Sequence, residues 1–521
     1  MQNVIDRFKK FNFELLVYPF FALLAFLMCR QSTFSPFTIS GMKVDDSVFY
    51  YIGKAMTNGQ MPYRDIFDHK GPTLHIFNWI GASIAERPGI WIVDMILMFV
   101  VFLFAYKACK NFTSKFASIT AVVALALLWV PSYRPGNRVE EYAMPFIFIG
   151  LYYFTCYFAN GYKFKKYQLV VLGFTFICVF MLRPNMIAVW AVFVLIILVM
   201  EIWKKRFKNL FMYMGLFIVG MLIYLVPLLV WFYATGTLND FMYQYFEFNV
   251  LYTGSTTGID KLKAVVKYFF KFVKYGYVYI VIALFYFAFF AKFIYMKIKK
   301  MEVNYSKVIF VFGYAVYTVL SFAFMIMSLR GYSHYFMPFL ACLIMPYAMA
   351  IDGVINFFTG SGMIKNKKLT RIFVSALVIF SLYGLYLQYD TVVKEMRTKN
   401  ADYERLIAVT DAIREYSNPD DRISIYGNST RYYTWSDRYS FSKYIYQTPI
   451  GMIDDNVAKE YIAEFKANPP VVFVIAGRGE YNKAIDSKIV KFIEEFKAEH
   501  YTLVKTVKTT EIYQLNSVMN K

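Results

Sequence analysis

Asp45-Asp46-Ser47-Val48-Phe49-Tyr50-Tyr51-Ile52-Gly53, then Met61-Pro62-Tyr63-Arg64-Asp65-Ile66-Phe67-Asp68-His69-Lys70-Gly71-Pro72, sets four acids and a lysine between two apolar segments. Ionisable groups are costly beside an apolar phase, so carboxylates kept there point to chemistry at a membrane boundary.

The composition makes that boundary a membrane one. Of 521 residues 58% are hydrophobic, mean hydropathy is +0.42, and apolar runs of spanning length recur. Runs near 13–30, 90–108, 117–131, 143–160, 168–182, 185–202, 209–234, 276–296, 307–328, 334–356 and 370–388 predict a polytopic α-helical membrane protein with about eleven transmembrane helices. The run at 13–28 has no small-residue cleavage pattern after it, so it is expected to stay as the first helix.

Cations set the orientation. Arg7, Lys9 and Lys10, then Lys107, Lys110 and Lys115, then Lys163, Lys165 and Lys166, then Lys204, Lys205, Arg206 and Lys208, all fall on one side. Lys292, Lys297, Lys299, Lys300 and Lys307, then Lys365, Lys367, Lys368 and Arg371, continue the parity, and the positive-inside rule makes that side cytoplasmic, with the N-terminus. The plasma membrane is the expected location. The first long loop (31–89) and the tail (389–521) then lie outside together. The net charge of +21 follows from these topology signals and from contact with anionic membrane lipids, so no nucleic acid partner is inferred.

Residues 1–388 read as the transmembrane domain and 389–521 as a small extracytoplasmic α/β domain, with a helix at 401–416, strands at 422–426 and 471–476, a helix at 483–498 and strands near 501–516. Gly427 and Gly477 suit the turns after its strands. Its segment 431–444 is rich in aromatic and basic residues, a composition suited to contacting a glycan. All five cysteines, Cys29, Cys109, Cys156, Cys178 and Cys342, lie in or beside apolar runs and are read as packing residues.

Segment 260–275 places Lys263, Lys267, Lys271 and Lys274 on one helical face and apolar residues on the other. This pattern predicts an external interfacial helix, which either floats among headgroups or guides a lipid phosphate.

External glycosylation in bacteria draws on polyprenyl-linked donors. There a positioned Asp takes the proton of an attacking hydroxyl, and Lys or Arg stabilises the departing phosphate. The first loop with Asp45-Asp46, Pro62-Tyr63-Arg64-Asp65 and Asp68-His69-Lys70-Gly71-Pro72 resembles the GT-C membrane glycosyltransferases, especially the bacterial relatives of the protein O-mannosyltransferases. Gly136-Asn137-Arg138-Val139-Glu140-Glu141-Tyr142, Arg183-Pro184-Asn185 and Arg330-Gly331-Tyr332-Ser333-His334-Tyr335 extend the resemblance over most of the chain.

The resemblance implies a GT-C-like fold and an inverting transfer from a polyprenyl-phosphate sugar donor, with Asp45 as base. Asp46 stands where the family has Glu, as an orienting or acceptor-contacting group or as the N-cap of a short helix at 48–56. Lys70 resembles the lysine of the family's Lys-Pro-Pro motif that contacts donor phosphate, with Gly71 replacing the first Pro. Arg330, Arg183 and Lys267 are further phosphate candidates; Glu140, Glu141, Asp68, His69, Tyr332 and His334 are substrate-binding candidates. The acceptor class is a cell-envelope polysaccharide, teichoic acid or glycolipid.

The histidines at 69, 75, 334 and 500 have no cysteine at ligand spacing, so no metal site is assigned, although Asp45 and Asp46 could hold a divalent cation, Mg or Mn. A glycan polymerase or ligase of another membrane fold and a secondary transporter are the rival classes. The former would concentrate Arg and His in later loops, and the latter would show broken helices and buried charges at the midplane.

Overall fold

The computed structural model describes residues 14–38, 44–132, 136–254, 258–274, 278–327, 333–360, 401–448, 450–477 and 487–519, with isolated positions between 372 and 394 and at 481 and 484. Five of its helices are long and apolar enough to cross a membrane, and four shorter apolar helices stand beside them. The chain is therefore a multi-pass membrane protein. Among the described residues these helices do not add up to the eleven spans expected, and the expected span at 370–388 lies mostly outside them.

In chain order the first half runs through α1 (Glu14–Cys29), α2 (Val44–Thr57), α3 (Pro72–Lys110), α4 (Lys115–Ser132), α5 (Val139–Ala159) and α6 (Lys166–Phe180). The segment read as the loop 31–89 is largely helical, since it contains α2 and the beginning of α3. α3 breaks at Ala85 and Glu86, where Glu86 has φ 50°, and Pro88 follows. There the chain doubles back: a Cβ on Gly89 would fall 1.9 Å from the Gly81 carbonyl oxygen, an approach only glycine permits. The apolar run at 90–108 thus forms the second arm, as the sequence reading placed it.

A 3-10 turn at Pro184–Met186 leads into α7 (Ala188–Trp203), and α8 (Phe207–Ala234) packs along α6. After α8 the chain makes one continuous turn of changing pitch, α at Leu238–Phe241, π at Met242–Glu247 and α again at Phe248–Gly254. The segment expected to be an interfacial helix forms α9 (Ile259–Lys274), close to its expected bounds. Its apolar face docks on protein: the Phe269 ring lies 4.5 Å from Phe322 and 5.8 Å from Phe336. Helices α10 (Val278–Ile298), α11 (Tyr305–Ile326) and α12 (Ala341–Gly360) follow, with a 3-10 segment at Ser333–Leu340 before the last.

The C-terminal part folds as a five-stranded sheet of order β2-β1-β3-β5-β4. β1 (Arg422–Tyr426) and β3 (Val472–Ile475) are short, buried and parallel, with Ile423 opposite Val472. β4 (Tyr501–Val507) and β5 (Thr510–Leu515) close it as an antiparallel hairpin, and β2 is the two-residue edge Tyr439–Ser440. Helices α13 (Ala401–Glu415) and α14 (Lys488–His500) match the sequence expectation within a few residues.

This unit is seated on α2. Tyr51 packs on Tyr433 and Tyr439, its hydroxyl accepts from the Ser440 amide at 2.9 Å, and Arg87 lies over the Trp435 ring at 4.7 Å. Three rings of the aromatic segment 431–444, Tyr433, Trp435 and Tyr439, are used in this docking. Burying rings of this size between the two parts explains why so many aromatics gather there.

Candidate active site

A cavity of about 380 Å³ lies where the α2 start, the 68–70 loop, the α5 start, Arg183 and His334 meet loops of the C-terminal unit. Asp45, Asp68, His69, Lys70, Arg138, Glu140, Arg183, His334 and Tyr335 are on its wall, and Asn428, Tyr446 and Thr448 close it from the C-terminal side.

Asp45 and Asp46 occupy the first turn of α2, where the partial positive charge of a helix N-terminus favours carboxylates. Neighbouring side chains on a helix point in different directions, which divides the pair: the Asp45 side chain is 49% exposed and the Asp46 side chain 2%. Arg138, in extended backbone just ahead of α5, joins them, with Nη1 on Asp45 Oδ2 and Nε 2.6 Å from Asp46 Oδ1. Asp46 also accepts from Thr33 Oγ1 at 3.3 Å, and its carbonyl accepts from the Asn137 amide at 3.1 Å. Asp46 is thus an internal strut, inside the helix rather than capping it, and Asp45 is the carboxylate that faces the cavity.

The basic wall is built by backbone clamping. Gly71 lies so close to the end of α6 that a Cβ would sit 1.8 Å from the Met181 carbonyl oxygen, and Thr73 Oγ1 donates to the Cys178 carbonyl at 3.2 Å. A glycine at position 71 permits this tight seat beside Arg183. From the π-turn, Gln244 accepts from the Asp68 amide at 3.0 Å and donates to the Tyr63 carbonyl at 2.7 Å, and from the α-helical segment that follows it Asn249 donates to the His69 carbonyl at 2.7 Å. π-turns recur at functional sites because they re-aim side chains in this way.

Lys70 is half-buried at the end of this clamp, and burial holds its ammonium below the ordinary lysine value, with Asp68 acting against that shift and Arg183 adding to it. Arg183 Nη1 is 2.6 Å from Glu140 Oε1 and its guanidinium lies 3.7 Å from the Tyr335 ring centre. Glu140 therefore orients an arginine rather than presenting a free carboxylate.

His334 is on the wall, while Arg330 and Tyr332 lie outside the described residues. Glu141 is buried behind the wall and accepts from the Gly136 amide at 2.8 Å. Lys267 is exposed on α9 and is not part of the cavity lining, because the helix turns Phe269 toward the protein. Asp45 and Asp46, the pair that could hold a divalent cation, are bridged by the Arg138 guanidinium.

Arg138 and the C-terminal residues were missed as site candidates. Arg138 was legible in principle, being the cation of the Gly136-Asn137-Arg138 stretch before a span that begins with two acids. Tyr446 carried no local signal, since 378 positions separate it from Asp68.

The architecture has relatives among solved structures. ArnT from Cupriavidus metallidurans in the apo state is similar at TM-score 0.59 and 11% identity, over 96% of this chain and 97% of that one. The same protein bound to undecaprenyl phosphate gives TM-score 0.57 and 12% identity over the same shares. The archaeal oligosaccharyltransferase AglB from Archaeoglobus fulgidus, in complex with an inhibitory peptide and a dolichol-phosphate, gives TM-score 0.56 and 13% identity over 98% of this chain and 75% of that one. The fold is accordingly that of the GT-C glycosyltransferases. Comparison with curated protein sequences finds no match. Residues 7–393 match the family described as "Putative competence-induced protein Ccs4 N-terminal domain", and the chain belongs to that family.

Proposed function

We propose that the chain is an integral-membrane inverting glycosyltransferase that moves a sugar from a polyprenyl-phosphate carrier to a hydroxyl of an extracytoplasmic acceptor, a cell-envelope polysaccharide, teichoic acid or glycolipid. The observation that carries this reading is a single cavity with a half-exposed carboxylate, Asp45, on one side and a clamped lysine, Lys70, on the other. The lipid phosphates bound by ArnT and AglB support the donor class.

In this mechanism the acceptor O–H gives its proton to Asp45 as its oxygen bonds to the anomeric carbon. The bond from that carbon to the phosphate oxygen breaks on the opposite face, inverting the centre. Negative charge then gathers on the polyprenyl phosphate, where Lys70 meets it, and Arg183, held by Glu140, adds positive potential. Arg138 and Asp46 keep the Asp45 carboxylate in position. Residues 1–388 form the catalytic domain and 389–521 the extracytoplasmic one, with the N-terminus cytoplasmic.

The reading is tested by incubating purified protein with a panel of radiolabelled synthetic polyprenyl-phosphate sugars and matched membrane extract. Label passing to polymer or glycolipid supports it. No transfer across the panel by folded protein moves the weight to polymerase or transport activity.

A further inference from the structure

Tyr446 comes from the C-terminal unit, yet its hydroxyl lies 3.1 Å from Asp68 Oδ1 and 3.3 Å from His69 Nδ1. His69 Nε2 in turn is 2.7 Å from Lys70 Nζ, and Asp68 Oδ2 is 3.4 Å from His75 Nε2. Tyr446, Asp68, His69 and His75 are all buried.

The chemistry of the groups gives this chain one direction. An ammonium has donors and no acceptor, so Lys70 donates and His69 Nε2 accepts. The imidazole proton is then on Nδ1 and points to the Tyr446 oxygen. That leaves the phenol hydrogen for Asp68, which is an acceptor at both oxygens while ionised. Burial, and next the Asp68 charge, push the Tyr446 phenol well above its ordinary value, so it remains a donor at physiological pH.

We propose that Tyr446 is a positioning residue for Lys70: through His69 it relays the Asp68 charge to the lysine, fixes the ammonium toward the cavity, and makes the C-terminal unit a component of the donor-phosphate site. This rests on the reading of Lys70 as the donor-phosphate ligand. Two of the three ammonium hydrogens are left for phosphate oxygens. Without the tyrosine hydroxyl, the His69 Nδ1–H loses this acceptor and its link to Asp68, and the imidazole holds the Lys70 ammonium less firmly.

Binding of undecaprenyl phosphate by the full chain in detergent tests it, with wild type, Tyr446→Phe, Lys70→Ala and the double variant compared as a cycle. Tyr446→Phe is expected to weaken binding about tenfold in the wild-type background, as for a hydrogen bond acting on a charged group, and to add nothing once Lys70 is alanine. Asp68→Asn, which keeps the shape and removes the charge, should weaken binding in the same Lys70-dependent way. Thermal melts of each variant identify those that fold.

Unchanged binding in folded Tyr446→Phe and Asp68→Asn overturns the inference and leaves the donor site standing, provided that Lys70→Ala weakens binding. A fully additive double variant also overturns it, since a merely structural tyrosine would act independently of Lys70. Wild type that fails to bind the lipid phosphate removes both the inference and the donor reading on which it rests.

Discussion

Arg138 Nε lies 2.6 Å from Asp46 Oδ1 with both side chains buried, and the same guanidinium reaches the half-exposed Asp45. One arginine thus serves a structural carboxylate and a solvent-facing one.

That division predicts unequal stability effects. Arg138→Met removes the cation from a buried carboxylate and should lower unfolding free energy by about 3–5 kcal/mol. Asp45→Asn disturbs only the exposed arm and should cost about 1 kcal/mol or less. Thermal melts of the two variants in one detergent check this, and equal losses would contradict it.

Gly71→Ala is expected to dislodge the Lys70 loop. Its Cβ would meet the Met181 carbonyl oxygen at 1.8 Å, a backbone contact that no rotamer relieves. Overpacking of this kind costs about 1–3 kcal/mol. Undecaprenyl phosphate affinity should fall with the melting temperature, as read by titration, whereas wild-type affinity would show that the close seat does not position Lys70.

The alkaline limit of donor binding should come from Lys70. Burial lowers its folded value, so the ammonium is present below that value and is lost as pH rises through it. Binding of lipid phosphate should therefore fade below the ordinary lysine range near 10.4. Stability moves the other way: between the folded and unfolded values the unfolded chain binds more protons, so the contribution of this lysine to stability rises with pH. Lys70→Arg stays charged and should shift the binding limb upward. A limb that does not move assigns it to another group.

Much of this architecture was legible because its signals are local. Apolar runs identified many of the helices, and short runs rich in β-branched and aromatic residues marked the strands 422–426 and 471–476 within a residue or two. The turn at Ala85–Glu86 hid inside the stretch 31–89 that the sequence reads as one loop, and it depends on contact between Gly81 and Gly89. The cavity wall was legible where a motif stands out locally, as at Asp45 and Lys70, which both line it. It was illegible where partners are distant: the difference between Asp45 and Asp46 is set by Arg138, the role of Glu140 by Arg183, and the Asp68–His69 pair is completed by Tyr446. Helical spacing showed which face of α9 is charged and not whether that face meets the cavity, and Lys267 is not among the residues that line it.

The most direct test of the account is sugar transfer by Asp45→Asn beside wild type, at saturating donor and acceptor, with undecaprenyl phosphate binding measured on the same preparations. Loss of the general base should reduce transfer by about 10²–10⁴-fold while lipid phosphate binding and melting temperature stay near wild type. Wild-type turnover by the folded Asp45→Asn protein would contradict the assignment of Asp45 as the base.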